Sequence, residues 1–226
     1  MSRERAGRQP LDDLVACTVV VDPVFDQNCY VLLRRDTDQV LVVDPGLQGE
    51  EVARLLERRR WRCDAILATH GHPDHVLGVP HLRRVAPTAP LRLNRADWSL
   101  LDPDGWRGLG IGQPAPVPIV PDQDLAGGSV VSWLGLELAV RHTPGHTPGS
   151  VCLVVAGDCF SGDSLFAGSV GRTDLPGGSW PQLLVSIRAQ LFTLPGSTVI
   201  HPGHGHPTTI AAERRHNPFV REPTGG

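Results

Sequence analysis

The sequence has no lysine: all 21 of its basic residues are arginine. No lysine ammonium is available to hold an anionic substrate, so any cationic contact must come from arginine. Long apolar runs are also missing. None approaches the roughly 18 residues of a membrane span, which argues against a membrane-spanning helix. Met1 to Pro10 is arginine-rich and polar and has no apolar stretch, so an ordinary secretory signal is not expected. Together these absences point to a cytoplasmic protein. Charge of one sign is not in excess either. With 24 acidic residues the net charge is −3, so there is no electrostatic case for a nucleic-acid partner. The five cysteines, Cys17, Cys29, Cys63, Cys152 and Cys159, contain no Cys-x-x-Cys pair, which disfavours a structural zinc module. Their number is odd and their spacing suggests no disulfide framework. Cys17, Cys63, Cys152 and Cys159 sit in or beside apolar segments and read as reduced, buried small hydrophobes.

What the sequence has in excess is clustered histidine. Eight of ten histidines fall in three short stretches rich in glycine and proline. The densest is Thr69-His70-Gly71-His72-Pro73-Asp74-His75. Imidazole nitrogen and carboxylate oxygen are the usual ligands of Zn²⁺, Mn²⁺ and Fe²⁺. Ala65 to Ala68 reads as a buried strand leading into it. His70 and His72, two residues apart in extended chain, point the same way and can share one ion. Asp74 and His75 fall at the start of the next helix and can face a second. Downstream lie His142-Thr-Pro-Gly-His146-Thr-Pro-Gly-Ser150, Ser161-Gly162-Asp163, and His201-Pro-Gly-His204-Gly-His206. Each follows a strand, in loops where functional groups collect on a rigid scaffold.

The length, 226 residues, suits one domain with a sizeable core. That domain is expected over 13–219, with a flexible segment at 1–12 and a tail at 220–226. Strands are predicted at Cys17–Asp22, Asn28–Arg34, Val40–Asp44, Asp64–Ala68, Val130–Trp133, Leu136–Arg141, Val151–Val155 and Thr198–His201. Asp158-Cys159-Phe160 reads as a short continuation of the seventh. Helices are predicted at Gly49–Arg60, Pro181–Leu191 and Ile210–Arg215. Alternating strands and amphipathic helices on two packed sheets make a layered α/β fold, an αββα sandwich of two mixed sheets flanked by helices.

His70-x-His72-x-Asp74-His75 followed by His146, Asp163 and His204 resembles the metallo-β-lactamase-fold hydrolases. The strings around His142 and His146, Ser161-Gly-Asp-Ser-Leu-Phe-Ala-Gly168, Gly171-Arg-Thr-Asp174, Pro207-Thr-Thr-Ile210 and Asn217-Pro218-Phe219 are similar to the glyoxalase II branch. The resemblance covers about residues 15 to 219. It implies a first ion on His70, His72 and His146, a second on Asp74, His75 and His204, and Asp163 bridging both. Asp74 and Asp163 are then the catalytic carboxylates. The cofactor implied is a pair of divalent ions, zinc first and iron or manganese as alternatives. Such a pair, about 3.5–4 Å apart, lowers the pKa of a shared water and polarises a carbonyl. Behind the ligands, Asp44 is expected to orient a histidine through its distal nitrogen. His142 is expected to hydrogen-bond behind its loop, and Arg172 and Asp174 to pair and fix the loop around Asp163. His81, His201, His206 and His216 read as loop or surface residues.

The expected reaction is hydrolysis of a small-molecule acyl-thioester. Trp98, Trp106 and Arg172 are the candidate substrate contacts, and the Asp102–Pro121 loop is a wall for the acyl group. Glyoxalase II proper continues into a C-terminal helical domain for glutathione. This sequence stops soon after Ile210, as short members do, so glutathione need not be the thiol. A second class shares much of the motif: an oxidoreductase resembling persulfide dioxygenases, with one Fe²⁺ on His70, His146 and Asp163. The stretch Phe166–Gly178 is more similar to the hydrolases.

Overall fold

The structure, a computed structural model, describes residues 4–5, 15–102 and 118–220. Trp106 and most of the Asp102–Pro121 loop therefore lie outside the described residues, as do most of the two expected terminal segments.

Alternation along the strands decides the layering. In β3 (Asn28–Arg34), Cys29 and Val31 join one apolar cluster while Tyr30 and Leu32 join another. β4 (Gln39–Val43) divides the same way, Val40 and Val42 against Leu41 and Val43. Strands buried on both faces read as continuous apolar runs, and side chains alternate across the sheet. These strands belong to a seven-stranded sheet in simple sequence order, completed by β1 (Glu4–Arg5), β2 (Val15–Val21), β5 (Arg62–Leu67), β6 (Leu91–Leu93) and β7 (Gln123–Asp124). The pairs from β1 to β4 are antiparallel, and those from β4 to β7 are parallel.

The second sheet contains β8 (Val130–Trp133), β9 (Leu136–His142), β10 (Val151–Val155), β11 (Asp158–Gly162), β14 (Val199–Pro202) and β15 (Thr208–Thr209), in the order β15-β14-β11-β10-β9-β8. It too is mixed, since β11 and β14 run parallel and the other pairs antiparallel. A ribbon of β12 (Leu165–Phe166) and β13 (Ser169–Val170) follows β11. Leu32, Leu41 and Leu67 of the first sheet share a core with Leu138, Leu153 and Phe160 of the second. The outer face of the first sheet is covered by α1 (Gly49–Arg59) through Val52, Leu55 and Leu56, and by α2 (Pro73–Val76) and α3 (Val79–Val85). The outer face of the second takes Leu183 of α4 (Trp180–Ser186), Ile187 and Leu191 of the π-helical turn after it, and Ile210 of α5 (Ile210–His216). This is the expected αββα sandwich. Among the described residues no helix is long and apolar enough to cross a membrane.

Two expectations need correction. Asp158-Cys159-Phe160 does not continue β10 but reverses against it, with Val155 opposite Asp158. Ala156 and Gly157 both have positive φ, 49° and 91°, which is the tight two-residue turn that matches strand twist. The helix expected over Pro181–Leu191 starts one residue earlier and widens into the π-helical turn from Ile187.

Candidate metal centre

Four loops meet at one edge of the sandwich. His70 and His72 leave β5, and Asp74 and His75 occupy α2, where Pro73 takes the first helical position. His146 lies between β9 and β10, Asp163 directly follows β11, and His204 follows β14. All seven residues with predicted ligand roles are brought together. The candidate ligand atoms of His70, His72 and His146 lie within 4.8 Å of one another, as do those of Asp74, His75 and His204. His146 Nε2 is 3.2 Å from His70 Nε2 and 2.8 Å from His72 Nδ1. His204 Nε2 is 3.3 Å from Asp74 Oδ2 and 3.4 Å from His75 Nε2. Asp163 stands between the groups: Oδ2 is 3.5 Å from His146 and 3.5 Å from His204, and Oδ1 is 3.4 Å from His75.

The outer ring nitrogens are held by distinct acceptors. His75 Nδ1 donates to Asp44 Oδ2 (3.0 Å), His146 Nδ1 to the Arg172 carbonyl (2.7 Å) and His204 Nδ1 to the Phe25 carbonyl (2.8 Å). Thr69 gives its hydroxyl proton to Asp44 Oδ2 (2.7 Å) and so accepts from His70 Nδ1 (3.1 Å). These partners, from which the ring orientations are assigned, turn four Nε2 atoms inward. Asp163 Oδ1 is buried and has no hydrogen-bond partner. Imidazole nitrogens and carboxylate oxygens converging on one space fit divalent cations. The outer partners fix the rings as metal-site partners do.

Without an ion the two groups differ in proton state. Burial, reinforced by the neighbouring histidines, pushes His70 well below its ordinary value. His72 falls to about 3, chiefly through burial and then through His146. Burial would lower His75 as well, but Asp163, Asp74 and Asp44 outweigh it and hold His75 well above the ordinary value. His204 is raised in the same way, its burial outweighed by Asp74 and Asp163. Burial works to raise Asp163, and the facing imidazoles, His75 first, hold it well below the usual carboxylate range. Asp74 is lowered too, with His75 and His204 outweighing burial.

Other predicted residues are placed less uniformly. Asp44 accepts from the backbone N–H of Thr69 (2.7 Å) besides its bonds to Thr69 Oγ1 and His75. Its φ is +52°, a left-handed conformation that aspartate tolerates better than most residues. His142 bonds the Pro148 carbonyl (2.9 Å) behind the His146 loop, and its side chain is exposed. Arg172 and Asp174 make an exposed bidentate pair at 2.7 and 2.8 Å, without Asp44. Arg172 meets the site through its carbonyl, while its guanidinium is turned to Asp174. Trp98 packs against the outer core, with its indole N–H bonded to the Leu93 carbonyl (3.0 Å) and Arg95 over its ring. That placement occupies the polar atom of the indole within the protein. His201, expected in a loop, is a buried residue of β14 paired with Asp158 at 2.6 Å and stacked on Phe160. All five cysteines are free, and all but the half-buried Cys17 are buried. One residue goes unmarked in the sequence: Asp97, fully buried, bonds both histidine loops. A lone aspartate in a turn carries no local signal.

The same architecture recurs in known proteins. A hydroxyacylglutathione hydrolase (GloC) of Haemophilus influenzae is 33% identical, over 87% of this chain and 93% of its own. The crystal structure of BLEG-1 B3 metallo-beta-lactamase aligns with TM-score 0.81 and 36% identity, over 91% of this chain and 97% of that one. TTHA1623, solved in a di-iron-bound form, aligns with TM-score 0.76 and 35% identity, over 89% and 99%. Residues 22–204 match the family model of the metallo-beta-lactamase superfamily. With the sandwich, its edge of clustered histidines and these relatives in agreement, the chain belongs to the metallo-beta-lactamase superfamily.

Proposed function

We propose that the protein is a dinuclear metal-dependent hydrolase of acyl-thioesters. The observation that carries this reading is the convergence of four inward Nε2 atoms on two carboxylates, Asp74 and Asp163. His70, His72 and His146 would hold one ion, Asp74, His75 and His204 the other, and Asp163 would bridge. Zinc is the first choice, and the di-iron form of TTHA1623 supports iron as an alternative. Bound there, two divalent ions would make a shared water acidic and polarise a substrate carbonyl. The chain's own part is positional. Asp44 and Thr69 fix His75 and His70, the Arg172 and Phe25 carbonyls fix His146 and His204, and the core shields His70 and His75 from water. Asp74, beside the partly exposed His204, would also accept a proton from an attacking water.

The Haemophilus relative, a hydroxyacylglutathione hydrolase, supports a thioester substrate. Trp106 and the Asp102–Pro121 loop are assigned to the acyl group, and the cytoplasm is the proposed compartment. Mixed thioesters test this. Substrates sharing one acyl group but differing in thiol should give similar kcat/KM, while varying the acyl group should spread the values by about 1–3 kcal/mol per methylene. A strong preference for glutathione would overturn acyl-side selectivity.

A second reading is favoured by His70, His146 and Asp163, whose contacts of 3.2 and 3.5 Å form a two-histidine, one-carboxylate face suited to a single iron. Elemental analysis separates the two. Two ions per chain with thioester turnover support the hydrolase; one iron with oxygen uptake on a persulfide supports the oxidoreductase.

A further inference from the structure

Asp97 lies in a 3₁₀ turn, Arg95–Leu101, at a distance in sequence from every candidate ligand, and it is fully buried. Its carboxylate takes three hydrogen bonds from two loops. Oδ2 accepts from the Gly71 N–H at 2.9 Å and from the Thr147 hydroxyl at 2.7 Å. Oδ1 accepts from the Gly149 N–H at 2.6 Å. Gly71 is the residue between His70 and His72, and Thr147 directly follows His146. The carboxylate therefore ties the loop carrying two histidines of the first group to the loop carrying the third. Among the described residues its hydrogen bonds go neither to α2, which carries Asp74 and His75, nor to the loop of His204. The close approach is built into the sequence. A Cβ at Gly149 would lie 2.6 Å from the Asp97 carboxylate, and one at Gly71 would lie 2.9 Å from the Asp97 carbonyl oxygen and 3.1 Å from its Cβ. Glycine at both places is what lets the carboxylate reach backbone N–H groups. Thr147 is held in turn by Ser150, at 2.7 Å between hydroxyls.

We propose that Asp97 is a positioning residue that sets metal affinity at the His70–His72–His146 group selectively, as Asp44 does at His75. The proposal rests on the reading that these groups hold metal. Asparagine at this position keeps the shape but turns an amide N–H₂ toward one set of donors, so one loop is released while the side-chain volume stays.

The test is cadmium binding to metal-depleted full-length protein, followed by titration and by ¹¹³Cd NMR, which resolves the two sites by their ligands. The wild type should take two ions and show two resonances. Asp97→Asn should weaken one site by about 10–100-fold, the loss typical of an outer partner, and leave the other at wild-type affinity. Asp44→Asn, which touches the His75 ring directly and reaches His70 only through Thr69, should weaken chiefly the opposite site. Thr147→Val, which removes one of the three bonds, should weaken the same site as Asp97→Asn by less, and it decides the matter if Asp97→Asn does not fold. Wild-type affinity at both sites in Asp97→Asn and Thr147→Val overturns the proposal. Equal weakening of both sites also overturns it, because a general structural role predicts that. A wild type that takes up no cadmium overturns the metal reading itself and this proposal with it, an outcome distinct from the others.

Discussion

The group His70–His72–His146 and the group Asp74–His75–His204 share one sheet edge but are built by opposite means. The first is all imidazole and buried, with the His70 and His72 pKa values lowered first by burial and then by neighbouring histidines, His75 and His146 for the former and His146 for the latter. The second mixes imidazole with carboxylate, opens to solvent at His204, and carries raised histidines beside lowered aspartates. Their supports differ as well. Asp97 grips loop backbone around the first, and Asp44 grips a ligand ring in the second. One fold edge can thus offer a site that is ready for a cation and a site that must first give up protons.

Asp163 is the point at which the comparison should break, because its two carboxylate oxygens face both groups. Asp163→Ala should abolish turnover and empty at least one metal position. The expected loss exceeds the roughly 100-fold that follows removal of an outer partner. Full activity with full metal content in this variant would refute the bridging assignment.

Proton linkage sharpens the comparison. Ligands bind metal deprotonated, so a histidine that is protonated in the free protein must release its proton on binding. His75 is raised above its ordinary value of 6.5 and holds its proton at neutral pH. Affinity at its group should therefore rise with pH throughout the range below the raised value, by about tenfold per unit for each proton displaced. His70 and His72 are lowered and cede none in that range. The same shift has the opposite sign for the metal-free fold. The stabilisation from the charged His75 is complete below the ordinary pKa and is lost as pH rises through the raised one. Titrations of the two ¹¹³Cd sites between pH 6 and 8 check this. Parallel pH slopes at both sites would remove the distinction.

The smallest effect is expected at His142, which touches neither group. His142→Gln should leave both metals bound. It should cost no more than about 0.5–1.5 kcal/mol of stability, the net worth of one hydrogen bond, as read from the denaturation midpoint. Loss of a metal on this change would give His142 a part in the first group.

The ligand set was legible because each loop declares itself within a few residues. His70-x-His72-x-Asp74-His75 needs only covalent spacing and a strand leading in to bring four donors to one place. The layering was legible for a similar reason, since double-sided burial leaves runs such as Val40–Val43 apolar throughout. The polar supports were not. Asp97 lies 26 residues from Gly71 and 52 from Gly149, and nothing beside it in the chain marks it. Nothing in the sequence near Trp98 marks the Leu93 carbonyl as the acceptor of its N–H. The β10–β11 reversal was hidden because Asp158-Cys159-Phe160 is as apolar as a continued strand would be, and only the positive φ at Ala156 and Gly157 turns it back.

The sequence by itself determined which residues can bind a cation and which faces are buried, because spacing and alternation are properties of neighbours along the chain. Only the tertiary structure decided which nitrogen of each histidine faces inward, which groups keep a proton, and which carboxylate holds the loops together. Those depend on atoms brought within about 3 Å of one another by parts of the chain far apart in sequence, and hydrogen bonds and desolvation act only at that range.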